Sequence, residues 1–146
     1  MAAYLLVVSV VLLAAGGLSG GVAFVADRSG GLLGMDRSYL AGSPVSDYLL
    51  PGIFLLVVFG LIPAFTAFGL IRRSHWRLFD RLEHRFGVHW SWQASVTLAV
   101  VLILWIGFQG LFLGLEAPAQ VATGILGLVI LGLALLPRVR HFYAGN

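Results

Sequence analysis

Residues 72–92, RRSHWRLFDRLEHRFGVHWSW, form the one strongly charged passage of an otherwise lipid-like chain. They hold five of its nine arginines and part four long apolar runs into two before and two after. On a helical projection His75, Leu78, Phe79, Leu82 and Phe86 gather on one side, while Arg73, Arg77, Arg81 and Arg85 form an i, i+4 ladder on the other. The pattern predicts a basic amphipathic helix that starts at Ser74 and stops at Gly87. Lying in a membrane interface, it would set its arginines on anionic lipid headgroups, each contact worth about 1 kcal/mol. An acidic groove on a partner protein would use the same features, but the tether to spans on both sides favours lipid.

Composition agrees with a bilayer. The chain has 146 residues, 60% of them hydrophobic and 10% charged, and a mean hydropathy of +0.98. That leaves too little polar surface to cover a water-soluble globule. The absence of cysteine excludes disulfides, thiolate metal sites and cysteine nucleophiles. The net charge of +3, carried by arginine without lysine, sits beside apolar runs, so it reads as attraction to headgroups and not to nucleic acid.

The runs flanking the charged passage are expected to span at residues 49–71 and 91–115, each long enough for a hydrocarbon core of about 30 Å. In the first of these, Ser46 or Asp47 can cap the start and Pro51 fits the first turn. Pro63 should kink the helix or free a carbonyl near Phe59, as a tolerated break or as the lining of a substrate path. In the second, Trp90 and Trp92 suit the headgroup level. Deeper in lie Trp105 and Gln109, and an intramembrane glutamine must bond to another helix, a water or a ligand. Gly110 and Gly114 give a GxxxG contact.

A short turn, EAPAQ at 116–120, makes the next span, 120–137, an antiparallel neighbour. It offers Gly127 with Thr123 as a small-residue pair, and Pro137 stops it ahead of Arg138, Arg140 and an interfacial tail. The first span, 4–26, places Ser9, Gly16, Gly20 and Ala23 on one face that lets another helix come close. The rival reading, a cleaved signal peptide, lacks the basic residues that should precede it. Residues 27–48 form a glycine-rich loop whose Leu32, Leu33, Met35, Tyr39 and Leu40 should fold over the bundle mouth or lie at the interface.

Orientation follows from arginine placement. The 72–92 passage and the C-terminal tail together carry net +5, and the 27–48 loop with the short turn carries net −2. The positive-inside rule therefore expects both termini and the amphipathic segment in the cytoplasm. The whole is an all-α, integral-membrane four-helix bundle in one transmembrane domain, expected in a bacterial cytoplasmic membrane.

Residues that carry chemistry are few. His75, His84, His89 and His141 all map to the arginine-rich side, but no spacing among them reads as a ligand set, so no metal or cofactor is expected. Ser91, Ser95 and Thr97 have no base paired with them in sequence.

The set SGGLLGM, SPVSDYLLPGIFLL, HWSW followed by LILWIGFQ, and ALLPRVRHF resembles a group of small bacterial four-helix membrane proteins over nearly the whole chain. The resemblance implies topology and no mechanism. It marks Asp47, Pro51, Trp90, Trp92, Trp105 and Gln109 as motif positions.

Three functions are compatible with these readings. The favoured one is a non-enzymatic accessory or scaffold protein that packs through Gly16, Gly20, Gly110, Gly114 and Gly127 against a membrane protein partner or a second copy. The spans contain no Asp, Glu, Lys, Arg or His, which ion-coupled transporters and intramembrane enzymes usually need. The second is a small carrier for a lipid or apolar molecule, with Pro63, Trp105 and Gln109 lining a cavity. The third is an enzyme on a lipid-linked substrate, using Asp36, Asp47 or Glu116.

Overall fold

The computed structural model describes residues 1–115 and 117–144, leaving aside the side chain of Leu113. Four helices are long and apolar enough to cross a membrane. They are α1 (Ala2–Ala26), α2 (Leu49–Arg72), α4 (Trp90–Leu113) and α5 (Pro118–Leu135). Two short helices, α3 (Asp80–Phe86) and α6 (Pro137–Tyr143), sit at the arginine-rich end. The four long helices form a ring in the order α1, α2, α4, α5, with antiparallel neighbours around it. Leu6 and Val10 of α1, Phe59 of α2, Leu102 of α4 and Ile130 of α5 meet in the middle. Leu104, Leu111, Ile125 and Leu128 face outward and stay exposed, an apolar girdle that suits acyl chains and not water.

The tightest contact joins α1 to α2, and Pro63 helps to create it. Proline has no N–H, so the carbonyl of Phe59 lacks its α-helical donor. The turn before it widens into a seven-residue π-helix, Leu55–Leu61, in which the Ile62 N–H reaches back to the Val57 carbonyl. This is the freed carbonyl expected from the sequence, and it lies against the α-carbon of Gly17, where an added Cβ would overlap it. A Cβ on Gly21 would come within 2.6 Å of Leu56 Cα, and one on Gly52 within 2.7 Å of Phe24 Cβ. The two backbones touch directly, a geometry in which Cα–H···O contacts contribute about 0.5–1 kcal/mol each.

The glycine face of α1 differs from the expected one. Gly16 has nothing within 4 Å, and Gly20 makes only an ordinary contact at 3.6 Å with Leu55. The close approach is at Gly17 and Gly21, and one residue of helix turns a face by about 100°. Gly110 has Leu115, beyond the end of its own helix, as its nearest neighbour, and Gly114, with φ of 75°, ends α4. Gly127 does pack across helices, on Ile103 and Leu102 at 3.2 and 3.3 Å.

At the end away from the arginine-rich segment, the 27–48 loop folds over the bundle mouth. Tyr48 stacks on Phe24 at 4.7 Å between ring centroids and donates its hydroxyl to the Asp36 carbonyl at 2.7 Å. Leu40 joins them in a small second core. Each aspartate serves its own turn: Asp27 accepts from Ser29 and Leu32, Asp36 from the Ser38 N–H, and Asp47 from the Leu49 N–H. Glu116, the remaining candidate carboxylate, lies outside the described residues.

The arginine-rich segment departs furthest from its expected form. Only α3, seven residues long, is helical between the second and third spans. Arg73 adopts a left-handed conformation with φ of 48° and caps α2 through its N–H on the Gly69 carbonyl, and Arg77 lies in the turn before α3. The four-arginine ladder is therefore not built on one helix, and only Arg81 and Arg85 share one. The cause is tertiary. The indole of Trp90 donates to the Ser74 carbonyl at 3.0 Å and stacks on Phe79 at 4.7 Å, while Trp76 meets Phe65 at 5.4 Å. Those contacts fold residues 74–79 back over the bundle, and aromatic packing around the buried Trp90 outweighs helical propensity. Beyond α5, Pro137 begins α6, so the tail is helical, and the proline fits the first turn where its missing N–H costs little.

Candidate metal centre

The segment between α2 and α4 is a strap closed at both ends by left-handed residues, Arg73 and Gly87. Arg73 is held open by its guanidinium, which sits 3.6 Å above the Phe142 ring of α6. Gly87, with φ of 64°, ends α3 by directing its N–H to the Glu83 carbonyl. The strap is then clamped to the chain end. Val88 bridges to Ala144, His89 donates its N–H to the Tyr143 carbonyl at 2.8 Å, and Tyr143 donates its hydroxyl to the Leu70 carbonyl at 3.3 Å. Trp90 fills the space beneath, its ring lying where a Cβ on Gly69 would be.

This folding brings together His75, Glu83 and His89, which one continuous helix would hold apart. His75 Nδ1 is 2.9 Å from Glu83 Oε2, and His89 Nε2 is 3.5 Å from Glu83 Oε1. The ligand-capable atoms of all three lie within 4.8 Å of one another. The expectation that no histidine set would read as ligands rested on linear spacing, and the strap overrides it. A usable signal was present: Glu83 lies between His75 and His89, and the turn-forming Ser74 and Gly87 each stand just before one of those histidines.

Each of the three is positioned differently. His89 is the residue before α4, and its Nδ1 accepts from the Ser91 N–H at 3.3 Å and lies 2.7 Å from Ser91 Oγ. Its Nε2 is buried and has no hydrogen-bond partner. Glu83 comes from the first turn of α3 and also accepts the Trp90 N–H at 3.2 Å, so its charge stands at the positive end of α4. His75 lies on the open side, with 72% of its side chain exposed.

Burial pushes the His89 imidazole below its ordinary value and is only partly opposed by the Glu83 charge. Burial would raise Glu83, but hydrogen bonds from His75 and the Trp90 N–H, with the two histidine charges, outweigh it and hold the carboxyl below its usual range. The site therefore combines a deprotonated carboxylate with a neutral buried imidazole at neutral pH. That pairing is able to ligate a cation.

The other sequence-marked residues do not converge. Trp105 packs on Phe54 at 4.5 Å and Phe108 at 6.0 Å. Gln109 accepts from Gln120 Nε2 at 3.4 Å, a bond from α4 to α5. Pro63 is fully buried nine residues further along α2 than Phe54, about 13 Å away along the axis. These three side chains line no shared cavity. Arg77, Arg81 and Arg85 are exposed. A groove of about 290 Å³ opens elsewhere, between the start of α1, the end of α2 and α6, lined by Tyr4, Leu70, Arg73, Phe142 and Tyr143 among others.

Comparison of the chain with protein-family models, curated proteins and solved structures gives no match, and the motif resemblance assigns no role to any residue.

Proposed function

We propose that this chain is a multi-pass protein of a bacterial cytoplasmic membrane, with both termini and the strap in the cytoplasm, that serves as a non-enzymatic accessory to another membrane protein. The observation behind this reading is uneven burial. In the most apolar windows of α1 and α2, 39% of residues are buried, against 22% in α4 and 17% in α5. Gly107 and Gly132, on those two poorly covered helices, have nothing within 4 Å. Small residues on an open helix face let a second membrane protein come within backbone distance. The exposed Arg77, Arg81 and Arg85 suit contact with inner-leaflet phosphates, in place of the four-residue ladder.

Native mass spectrometry of the protein released gently from its own membrane tests this reading. A stoichiometric protein partner is the expected result, and a monomer or a homo-oligomer without one overturns it. The groove at Tyr4 and Arg73 supports a second reading, a carrier for an anionic lipid, since its walls are apolar and its one cation is Arg73. A retained lipid lost in Arg73→Gln would favour that reading.

A further inference from the structure

We propose that His75, Glu83 and His89 bind one divalent first-row transition-metal ion, zinc fitting best, and that the ion clasps the strap to the start of α4. Two imidazoles and a carboxylate are a borderline nitrogen–oxygen donor set. Magnesium and calcium favour sites built of oxygen alone.

The spacing fits as well. Metal–ligand bonds of about 2.0–2.1 Å in tetrahedral geometry set ligand atoms about 3.3 Å apart. Glu83 stands 2.9 Å from His75 and 3.5 Å from His89. The two distances run to different carboxylate oxygens and all three ligand atoms lie within 4.8 Å of one another, so closing on a cation takes a turn of the carboxylate and a swing of the exposed His75.

An observation independent of this grouping points the same way. His89 is 7% exposed, and its Nε2 is buried without a partner while directed at the carboxylate. An orphaned buried polar atom is costly to leave in a folded protein. Helix capping explains why Glu83 holds the Trp90 N–H, and an ordinary ion pair explains His75 with Glu83. Neither gives Nε2 a close partner, since the nearest Glu83 oxygen stands 3.5 Å away.

A metal ion does. In the tautomer that binds the ion, Nδ1 carries the proton and donates to Ser91 Oγ at 2.7 Å, giving up the longer 3.3 Å contact with the Ser91 N–H, which leaves the Nε2 lone pair free for the ion and fixes the ring orientation. His75 closes the site on the solvent side, where a water completes the coordination.

The inference does not depend on the accessory role. Its test uses the full chain without a polyhistidine tag, purified in mild detergent, stripped with a chelator and titrated with zinc chloride against a chromophoric competitor. Metal content is measured in parallel. One zinc per chain is expected, with a rise in the thermal midpoint on loading. His75→Ala and Glu83→Gln should each weaken affinity by more than about 100-fold, and Ser91→Ala by about 10–100-fold. His75 is exposed, so its variant keeps the fold. His84→Ala and His141→Ala, at histidines outside the cluster, should bind as the parent does. Zinc that binds equally well to His75→Ala and Glu83→Gln, or stoichiometric binding that is absent in the parent chain, overturns the proposal.

Discussion

The α1–α2 pair and the α4–α5 pair have similar mean hydropathy, 2.2 and 2.5 against 2.1 and 1.9, yet they pack in different ways. In the first, a proline-widened turn and the glycines at 17 and 21 let two backbones touch. In the second, Gly127 receives only the flexible ends of Leu102 and Ile103, and a side-chain bond from Gln109 to Gln120 does part of the holding. Apolar helices in a bilayer gain little from burying apolar surface, so fit and small residues decide which pairs are tight. One pair is a fixed core, and the other has a face to spare.

The largest effect should come from breaking the tight pair. Gly17→Leu puts a side chain where the Phe59 carbonyl lies, and should cost about 3 kcal/mol or more or prevent accumulation of folded protein. Equilibrium unfolding in detergent micelles measures it, and near-parental stability would show that α1 and α2 are not in backbone contact. Gly69→Val comes next. It displaces the Trp90 ring, so a loss of about 1–3 kcal/mol should come with red-shifted tryptophan emission as the strap lifts.

In the looser pair, Gln109→Leu should cost only about 0.6 kcal/mol, the average for a side-chain hydrogen bond between membrane helices. In a double-mutant cycle with Gln120→Leu the two losses should not add, because the partners are shared. Additive losses would mean that each glutamine bonds elsewhere. The smallest effect on stability is expected at Gly132→Leu, within about 0.5 kcal/mol, since nothing lies near it. The same substitution should remove a co-purifying partner, and that contrast would locate the spare face on α5.

Much of this was legible beforehand for a plain reason. Each span is a continuous apolar run, and its helical bonds are local, so length and hydropathy define it without reference to the rest of the chain. The freed carbonyl at Phe59 was legible too, because a proline acts on its own helix. The register of α1 was not. Gly16, Gly17, Gly20 and Gly21 are equivalent in a sequence pattern, and which pair turns inward depends on where α2 presents its widened turn. The arginine ladder was misplaced for a related reason. The i, i+4 pattern from Arg73 to Arg85 is genuine, but a helix there would have left Phe79 and Trp76 without the aromatic partners the bundle offers.

The sequence alone determined the helical class, the number of apolar segments, the charge asymmetry between the two ends and the lack of ionisable groups in the spans. All of these are properties of single residues or of neighbours along the chain. Tertiary structure alone decided the helix contacts and the meeting of His75, Glu83 and His89. That meeting depends on left-handed backbone at Arg73 and Gly87, on Trp90 seated over Gly69, and on the chain end clamping His89. The Gly87 cap is local, but the Arg73–Phe142, Trp90–Gly69 and His89–Tyr143 contacts join residues distant in sequence, and such closures exist only once the whole bundle has formed.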